Sequence, residues 1–283
     1  MKYPFIDTNR HSYAVKALCQ ALKVSTSGYY AARSRPPSAR SERQTWLTSH
    51  IRAIHTASRH TYGAPHIHAE LSAQGVACSR NTVAKLMRQA QIMPKAVRRF
   101  RVTTDSRNTK ASPNLLDRVF QADRPNACWL SDIIFIPTRA GWLYLAAILD
   151  LYSRAILGWG MSKSLDCQLA MDALNRAISR RGSGPAILHS DRGSTYAAAE
   201  YRELLGRYMI SQSMSRKGNC WDAPMESFFH TLRTDLVMHC DYKTRDQART
   251  SLFEYMEVFY NRQRRHSTIR YEAPLAFEAS INA

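Results

Sequence analysis

The chain has 283 residues, and its hydrophobic content of 45% is enough for the cores of one to three domains. Its formal net charge is +18. Positions 1–126 hold 21 basic and 6 acidic residues, a net of +15, whereas the remainder holds 19 and 16, a net of +3. A basic front half beside a nearly neutral back half favours a polyanion-binding module joined to a different domain.

Cysteine spacing and apolar runs exclude several classes of protein. The six cysteines contain no C-x-x-C, which argues against a zinc ribbon or a thioredoxin-type site and fits reduced intracellular thiols. The first residues lack the apolar core of a signal peptide. The longest apolar run, Trp142–Leu149, is too short to span a bilayer. We therefore expect a cytoplasmic protein without a membrane partner.

Residues 1–44 are predicted to form a short helical segment and a linker. Apolar residues from Ala14 to Leu22 recur at helical spacing, and Ser25 can cap a second short helix through Tyr29. The proline-rich basic stretch 33–43 is typical of a linker.

Residues 45–92 have the pattern of a helix-turn-helix domain. Gly75 breaks one helical run, and Ser79 stands at the N-cap of the next. A small three-helix bundle with a solvated basic face would show the same pattern. If the last helix reads a DNA groove, its outward residues are the contacts; they are Arg80, Asn81, Lys85 and Arg88.

Residues 93–125 are predicted to be an extended basic linker, because they carry many cations and little apolar periodicity. Such a segment either follows a phosphate backbone or is simply solvated. Its candidate DNA contacts are Arg98, Arg99 and Arg101.

Residues 126–280 predict an α/β fold. Three β-rich runs separated by turns, Trp129–Ile136, Trp142–Leu149 and Ser153–Met161, indicate an antiparallel meander. Alternating helices and short strands follow, so we expect a mixed sheet flanked by helices.

Three carboxylates on different predicted elements suggest a site for two Mg²⁺ ions, which bind oxygen ligands and can clamp a phosphoryl displacement. Asp132 lies in an apolar strand, Asp191 follows another, and Glu226 lies in the first turn of a helix. Taken singly, each has a simpler explanation: a satisfied core aspartate, a turn residue and a glutamate favoured by the helix dipole. Asp150 rivals Asp132, but pairing with Arg154 explains it more simply.

Several long motifs resemble one family. They are W-L-S-D-I, GWLYLAAILDLYSRAILGW, LHSDRGSTY, SMSRKGNCWD, MESFFHTL and FYNRQRRHS from residue 129 onward, with VSTSGYY, YGAPHIHAEL and SRNTVAKLMR upstream. The chain resembles the second-frame product of insertion-sequence transposases of the IS-three family. The resemblance implies a ribonuclease-H-like fold, DNA transposition, and a DDE triad of Asp132, Asp191 and Glu226 that binds two Mg²⁺ or Mn²⁺ ions.

The resemblance also implies partners. These are double-stranded DNA at the terminal inverted repeats and at the target, the first-frame protein of the same element by fusion or association, and a second copy of the chain on DNA. A nucleoid-associated location follows.

Further site residues are predicted around the triad. His189 and Ser190 are expected to support Asp191, and Arg233 stands where the family has a lysine. Candidate DNA contacts in the loop before Glu226 and in the C-terminal motif are Arg216, Lys217 and Arg265. Only 34 residues lie between Asp191 and Glu226 (226 − 191 − 1), one fewer than in the family. A residue missing from the helix rather than the loop would rotate the carboxylate by roughly 100°.

Two other functions fit the same pattern. A catalytically defective, DNA-binding copy would act as a competitor or repressor. A general nuclease of the ribonuclease H type would be indifferent to DNA sequence, and the helix-turn-helix pattern in the front half argues against it.

Overall fold

The structure is a computed structural model that describes residues 2–95, 112–117, 120–215 and 223–280. These residues fall into two compact units, Met1–Ala53 and Ile54–Ala283. The four-segment division expected from the sequence stays a prediction.

The first unit begins with three short helices, α1 (Lys2–Asn9), α2 (Val15–Ala21) and α3 (Thr26–Ser34). Ser25 caps α3, as predicted, since its hydroxyl accepts a hydrogen bond from the Gly28 N–H at 3.1 Å. The small core that holds the three helices together is formed by Ile6, Cys19 and Tyr29.

A longer helix, α4 (Ala39–Ala57), contains the boundary between the two units. The second unit continues with α5 (Ala64–Ala73) and α6 (Arg80–Gln89). Gly75 ends the first of these with a φ of 76°, and Ser79 caps the second by accepting from the Thr82 N–H at 3.2 Å. The helix-turn-helix prediction is confirmed.

A five-stranded mixed sheet follows, with the order β3-β2-β1-β4-β5. The first three strands form the predicted antiparallel meander, and the last two extend the sheet in parallel beyond β1. The strands are β1 (Cys128–Ile136), β2 (Leu143–Asp150), β3 (Ile156–Ser162), β4 (Ile187–Ser190) and β5 (Ser211–Met214).

Helices cover both faces of this sheet, which confirms the α/β class. One face packs against α7 (Cys167–Arg181), α8 (Ser194–Ala197) and α9 (Ala199–Arg207) in a core that includes Trp129 and Ile148. We call this the α7-side core. The other, the α10-side core, contains Leu130 and Ile134 and is covered by α10 (Ala223–Asp235), α11 (Arg245–Glu254) and the π-helical segment Tyr255–Tyr260. The chain ends in α12 (Pro274–Ala279).

Alternation along β1 decides where Asp132 points. Because residues two apart in a strand share a face, Leu130, Asp132 and Ile134 lie on one side. The antiparallel partner of Asp132 is Ala147, which belongs to the α10-side core. Asp132 therefore faces α10.

None of the helices within the described ranges combines the length and the apolar character that crossing a bilayer requires. The cysteines described there, Cys19, Cys78, Cys128, Cys167 and Cys240, are free thiols.

Candidate active site

Asp132 and Asp191 are brought together by the parallel pairing of β1 with β4. Ser131 is the register partner of Ser190, and each aspartate is the next residue along its chain. Neighbouring strands lie about 4.8 Å apart, and residues in register share a face. The register therefore brings Asp132 of β1 beside the C-terminal end of β4, where Asp191 follows.

One oxygen of each carboxylate is positioned by a nearby backbone N–H. Asp132 Oδ1 accepts from the Ile133 N–H at 2.7 Å, and Asp191 Oδ1 accepts from the Gly193 N–H at 2.9 Å. A Cβ atom at Gly193 would lie only 2.9 Å from that same oxygen, so glycine is what allows the turn to close over the carboxylate. The Ser190 hydroxyl donates to the Asp191 carbonyl at 3.0 Å.

A buried tyrosine in the α7-side core interacts electrostatically with both aspartates. The Tyr196 hydroxyl lies 2.9 Å from Ser131 Oγ, in the α7-side core. Burial raises the pKa of Tyr196 well above its usual range, and the charges of Asp132 and Asp191 raise that pKa further. The phenol therefore stays protonated. Tyr196 ends the motif LHSDRGSTY, and nothing in the sequence indicates its role.

Glu226 lies in the first turn of α10, with its side chain exposed. Its neighbours Met225, Phe228 and Leu232 are buried in the α10-side core. Glu226 therefore lies on a polar ridge of α10 beside this apolar stripe.

Arg233 lies further along that ridge, and the charge of Asp132 acts on it. Burial lowers the pKa of the Arg233 guanidinium, and the negative charge of Asp132 acts in the opposite direction. Arg233 is seven residues after Glu226, so the two share one side of the helix about 10 Å apart. Glu226 thus lies on the same side of α10 as Arg233, nearer the N-terminus of the helix.

A complete three-acid cluster is not assembled in the structure. Within the described ranges, no three His, Cys, Asp or Glu side chains lie close enough to hold one metal ion. The β1–β4 register brings together the residues directly before the two aspartates, and Glu226 lies on α10, which packs against the face of the sheet that carries Asp132. The role of Glu226 as the third ligand stays a prediction.

Two further predictions concern residues around Asp191. His189 is buried in β4, with its Nδ1 atom 2.7 Å from Ser213 Oγ on the next strand. It precedes Asp191 by two residues and shares its face of the sheet. Supporting roles for His189 and Ser190 stay predictions.

Asp150, the rival candidate, closes a turn. Its carboxylate accepts three backbone N–H groups, from Asn126 at 2.8 Å, Tyr152 at 2.8 Å and Ser153 at 3.1 Å. Burial raises its pKa, and those hydrogen bonds lower it. The backbone, more than Arg154, is its partner.

The predicted DNA contacts on α6 are all exposed, whereas Val83, Leu86 and Met87 on the same helix are buried. Arg80, Asn81, Lys85 and Arg88 are thus placed where a ligand can reach them. Predicted contacts outside the described residues are Arg98, Arg99, Arg101, Arg216 and Lys217.

Arg265 has partners within the chain. Its guanidinium pairs with Glu70 of α5 and donates to the Tyr271 carbonyl at 2.8 Å, while its backbone N–H donates to the Tyr62 hydroxyl at 2.7 Å. These bonds join the helical hairpin of α5 and α6 to the C-terminal segment that contains Arg265 and Tyr271. Its DNA contact stays a prediction, and the sequence offered no sign of Glu70 as its partner.

Family models match most of the chain. A model described as an HTH-like domain matches residues 41–100, and two described as an integrase core domain match residues 122–220 and 226–280.

Curated relatives match over nearly the whole length. "Transposase InsF for insertion sequence IS3A" of Escherichia coli (strain K12) is 40% identical over 283 residues, covering 98% of each chain. "Insertion element IS600 uncharacterized 31 kDa protein" of Shigella sonnei is 40% identical over 263 residues, covering 92% of this chain and 97% of that one.

Among solved structures, the HTLV-2 integrase catalytic core domain in complex with magnesium aligns with a TM-score of 0.43 and 18% identity, over 56% of this chain and 99% of that one. With two integrase-core matches, a helix-turn-helix match and a 40% identical transposase of equal length, the chain belongs to the IS3 family of insertion-sequence transposases and is a polynucleotidyl transferase of DNA transposition.

Proposed function

We propose that Asp132, Asp191 and Glu226 together bind two divalent cations, Mg²⁺ or Mn²⁺, for DNA strand cleavage and strand transfer at the ends of the element. The β1–β4 register carries the proposal, because it pairs Ser131 with Ser190, the residues directly before Asp132 and Asp191, in a chain of a transposase family. The facing side of α10 supplies the third carboxylate.

The donor set suits these ions. All three groups offer carboxylate oxygens, which hard cations such as Mg²⁺ prefer, and Mg²⁺ completes its shell with water and substrate phosphate. When bound, two such ions stabilise the charge at phosphorus and activate the attacking oxygen. The chain holds Asp132 and Asp191 through backbone N–H groups, and Arg233 of α10, on which the charge of Asp132 acts, is proposed to contact a substrate phosphate there.

The shorter spacing before Glu226 is compatible with this role. In α10, Met225, Phe228 and Leu232 are buried in the α10-side core, and Glu226 lies beside them on the same side of the helix as Arg233. We infer that the missing residue belongs to the connection before α10, which lies outside the described residues.

The test is a strand-transfer assay on a duplex carrying the element end, with Mg²⁺ or Mn²⁺. We expect Asp132→Asn, Asp191→Asn and Glu226→Gln each to abolish the product. The matched control is Asp172→Asn, which removes the charge of an exposed acid on α7 and should leave the rate unchanged.

Metal binding has its own readout. Ions that bind the folded state raise the melting temperature, so Mn²⁺ should stabilise the wild type and not the Asp132→Asn variant. The proposal would be wrong if any of the three variants kept full strand transfer. It would also be wrong if Mn²⁺ still raised the melting temperature of a protein that carries both aspartate changes. The defective-copy alternative predicts no product from the wild type itself.

We also propose the partners implied by the family: double-stranded DNA of the terminal repeats and the target, the first-frame protein, and a second copy on DNA, in the cytoplasm with the nucleoid. The HTH-like match and the exposed cations of α6 support the first of these. Co-purification with a tagged first-frame protein, with and without element-end DNA, tests the others.

A further inference from the structure

The connection between α2 and α3 has an unusual backbone geometry. Lys23, just after α2, adopts a left-handed φ of 52°. The next residue, Val24, donates its N–H back to the Cys19 carbonyl at 3.0 Å. Ser25 then caps α3 by accepting the Gly28 N–H at 3.1 Å. A left-handed residue, a back-bonded valine and a serine cap thus join the two helices in four residues.

The helix-turn-helix of the second unit has the same sequence of features. Gly75 takes the left-handed conformation, Val76 donates to the Leu71 carbonyl at 2.9 Å, and Ser79 accepts the Thr82 N–H at 3.2 Å. Its connection contains two more residues, Ala77 and Cys78. The α2–α3 hairpin is therefore a shorter version of the α5–α6 hairpin, although the HTH-like match begins only at residue 41.

The two second helices also present matching faces. Tyr29 is the fourth residue of α3 and is buried, as Val83 is in α6. On the opposite side, Ser27 takes the position of Asn81 and Tyr30 that of Ala84. Tyr30 is 53% exposed. Hydroxyl side chains of this kind contact phosphates and base edges.

Charge in this region suits a polyanion. Residues 2–35 contain six Lys or Arg and a single acid, a net of +5. That acid, Asp7, is engaged inside the unit: it accepts from the Tyr29 hydroxyl at 2.8 Å and lies 3.5 Å from Arg10 and 3.9 Å from Arg33. A phosphate backbone approaching α3 therefore meets cations and hydroxyls.

The side of α3 away from the exposed face is occupied. Tyr29 packs in the small core with Ile6 of α1, and a Cβ atom at Gly28 would lie 2.9 Å from the Tyr3 hydroxyl. Gly28 and Tyr29 share this inner side, whereas Ser27, Tyr30 and Ala31 share the outer one and are exposed.

From these features we propose that α3 is a second DNA-reading helix, which lies in the major groove of element-end DNA through Ser27 and Tyr30. The chain would then contact the duplex at two places, one through α3 and one through α6. The inference depends on the chain being a transposase of its family and does not depend on the metal proposal.

The test is hydroxyl-radical footprinting of the full chain on a duplex that carries the element end, in EDTA so that metal-dependent chemistry plays no part. The wild type should protect two separate blocks. The pair Ser27→Ala and Tyr30→Ala should lose one block and weaken binding about tenfold, whereas Arg80→Ala with Asn81→Ala should lose the other. Thr8→Ala, an exposed change on α1, is the control.

A second pair of variants guards against a folding artefact. Ala31→Glu adds a carboxylate to the outer face of α3 at an exposed helical position, and Thr8→Glu adds the same charge on α1. Binding should fall at least about tenfold more for Ala31→Glu than for Thr8→Glu, with circular dichroism unchanged. A footprint unaltered by the Ser27 and Tyr30 changes, or equal effects of the two glutamates, would overturn the proposal.

Discussion

The carboxylate of Asp191 is positioned by a turn that leaves no room for a side chain at Gly193. The φ of Gly193 is −57°, which any residue adopts, so the requirement comes from space alone. The close approach that it permits is the hydrogen bond from its N–H to Asp191 Oδ1.

We expect Gly193→Ala to slow strand transfer about tenfold or more, because its Cβ would displace the Asp191 oxygen and small misplacements of reacting groups are costly. The melting temperature should change little. Ser194→Ala, next in the chain and exposed, is the control. A full rate in Gly193→Ala would show that the position of this oxygen does not matter.

The folding stability of the protein depends on pH through the protonation of His266. Burial lowers its pKa to about 3, and the positive charges of Arg264 and Arg154 contribute in the same direction. In the unfolded chain its pKa is about 6.5. Between about pH 6.5 and about pH 3 the unfolded state therefore binds the proton more readily, so folding stability is complete above this window and falls as the pH drops through it.

The His266→Phe variant should lose part of that acid sensitivity. We expect its free energy of unfolding to fall less steeply between pH 7 and pH 5 than that of the wild type, with His266 contributing up to about 1.4 kcal/mol per pH unit. Urea denaturation at several pH values measures the slopes. His11→Gln, an exposed histidine in the first unit, should leave the slope unchanged; parallel slopes for wild type and His266→Phe would contradict the assignment.

Among the elements, β3 and α7 pack backbone against backbone. A Cβ atom at Gly158 would lie 2.1 Å from the Ala173 carbonyl oxygen, and one at Gly160 would lie 2.4 Å from that of Leu169. The small residues of α7 that face the strand, Ala173 and Ala177, complete this close contact.

Gly158→Ala should therefore destabilise the protein by about 1–3 kcal/mol, the usual cost of overpacking a filled core. Gly206→Ala in α9 is the matched control, since a Cβ there meets no atom within 4 Å. It should stabilise the helix by about 0.5–1 kcal/mol. Urea midpoints of the two variants on the same side of the wild type would contradict this account.

The hairpin of α5 and α6 is attached to the catalytic domain by side chains of the C-terminal motif. Arg265 pairs with Glu70, and Arg59 pairs with Glu254 while its guanidinium lies 4.7 Å from the centre of the Phe259 ring. Lys95 Nζ donates to the Asp235 carbonyl at 2.8 Å.

Arg265→Ala should loosen that attachment. We expect amide hydrogen exchange in α5 and α6 to become about tenfold faster, because removing one partner of a mostly buried ion pair leaves Glu70 unpaired. Exchange in β1 and β2 should be unchanged. Ser267→Ala, exposed and two residues away, serves as control. Equal protection in both variants would mean that the ion pair does not hold the hairpin.

At the scale of the whole molecule, the cations expected to bind DNA and the carboxylates expected to act in catalysis lie in different halves of the chain. Cations are concentrated in the front half, whereas the carboxylates of the proposed catalytic site lie in the nearly neutral back half. DNA binding should therefore depend strongly on salt, since each phosphate contact releases counterions.

Removing Arg80 and Arg88 together should reduce the slope of log K against log salt by about 2, one unit for each lost contact. The slope is measured by fluorescence anisotropy on a short duplex at several salt concentrations. Arg202→Ala, an exposed cation on α9, should leave the slope as it is. An unchanged slope in the double variant would remove α6 from the DNA interface.

Local patterns predicted most elements correctly. Three β-rich runs separated by turns predicted the meander, and Ser25 and Ser79 are helix caps, as predicted. Such signals need only a few neighbouring residues, so a single sequence contains them. The three candidate carboxylates and the resemblance to a family were likewise predicted from the sequence alone.

Contacts between distant residues could not be read in this way. The placement of Asp132 beside the end of β4, where Asp191 follows, depends on a parallel β1–β4 register, and the partners Arg265 and Glu70 are 195 residues apart. A strand pattern records which face of the strand is apolar but not which strand lies beside it. Residue order alone thus determined the element types and the chemical groups available. The tertiary structure decided which groups meet, because register and packing follow from the free energy of the whole fold.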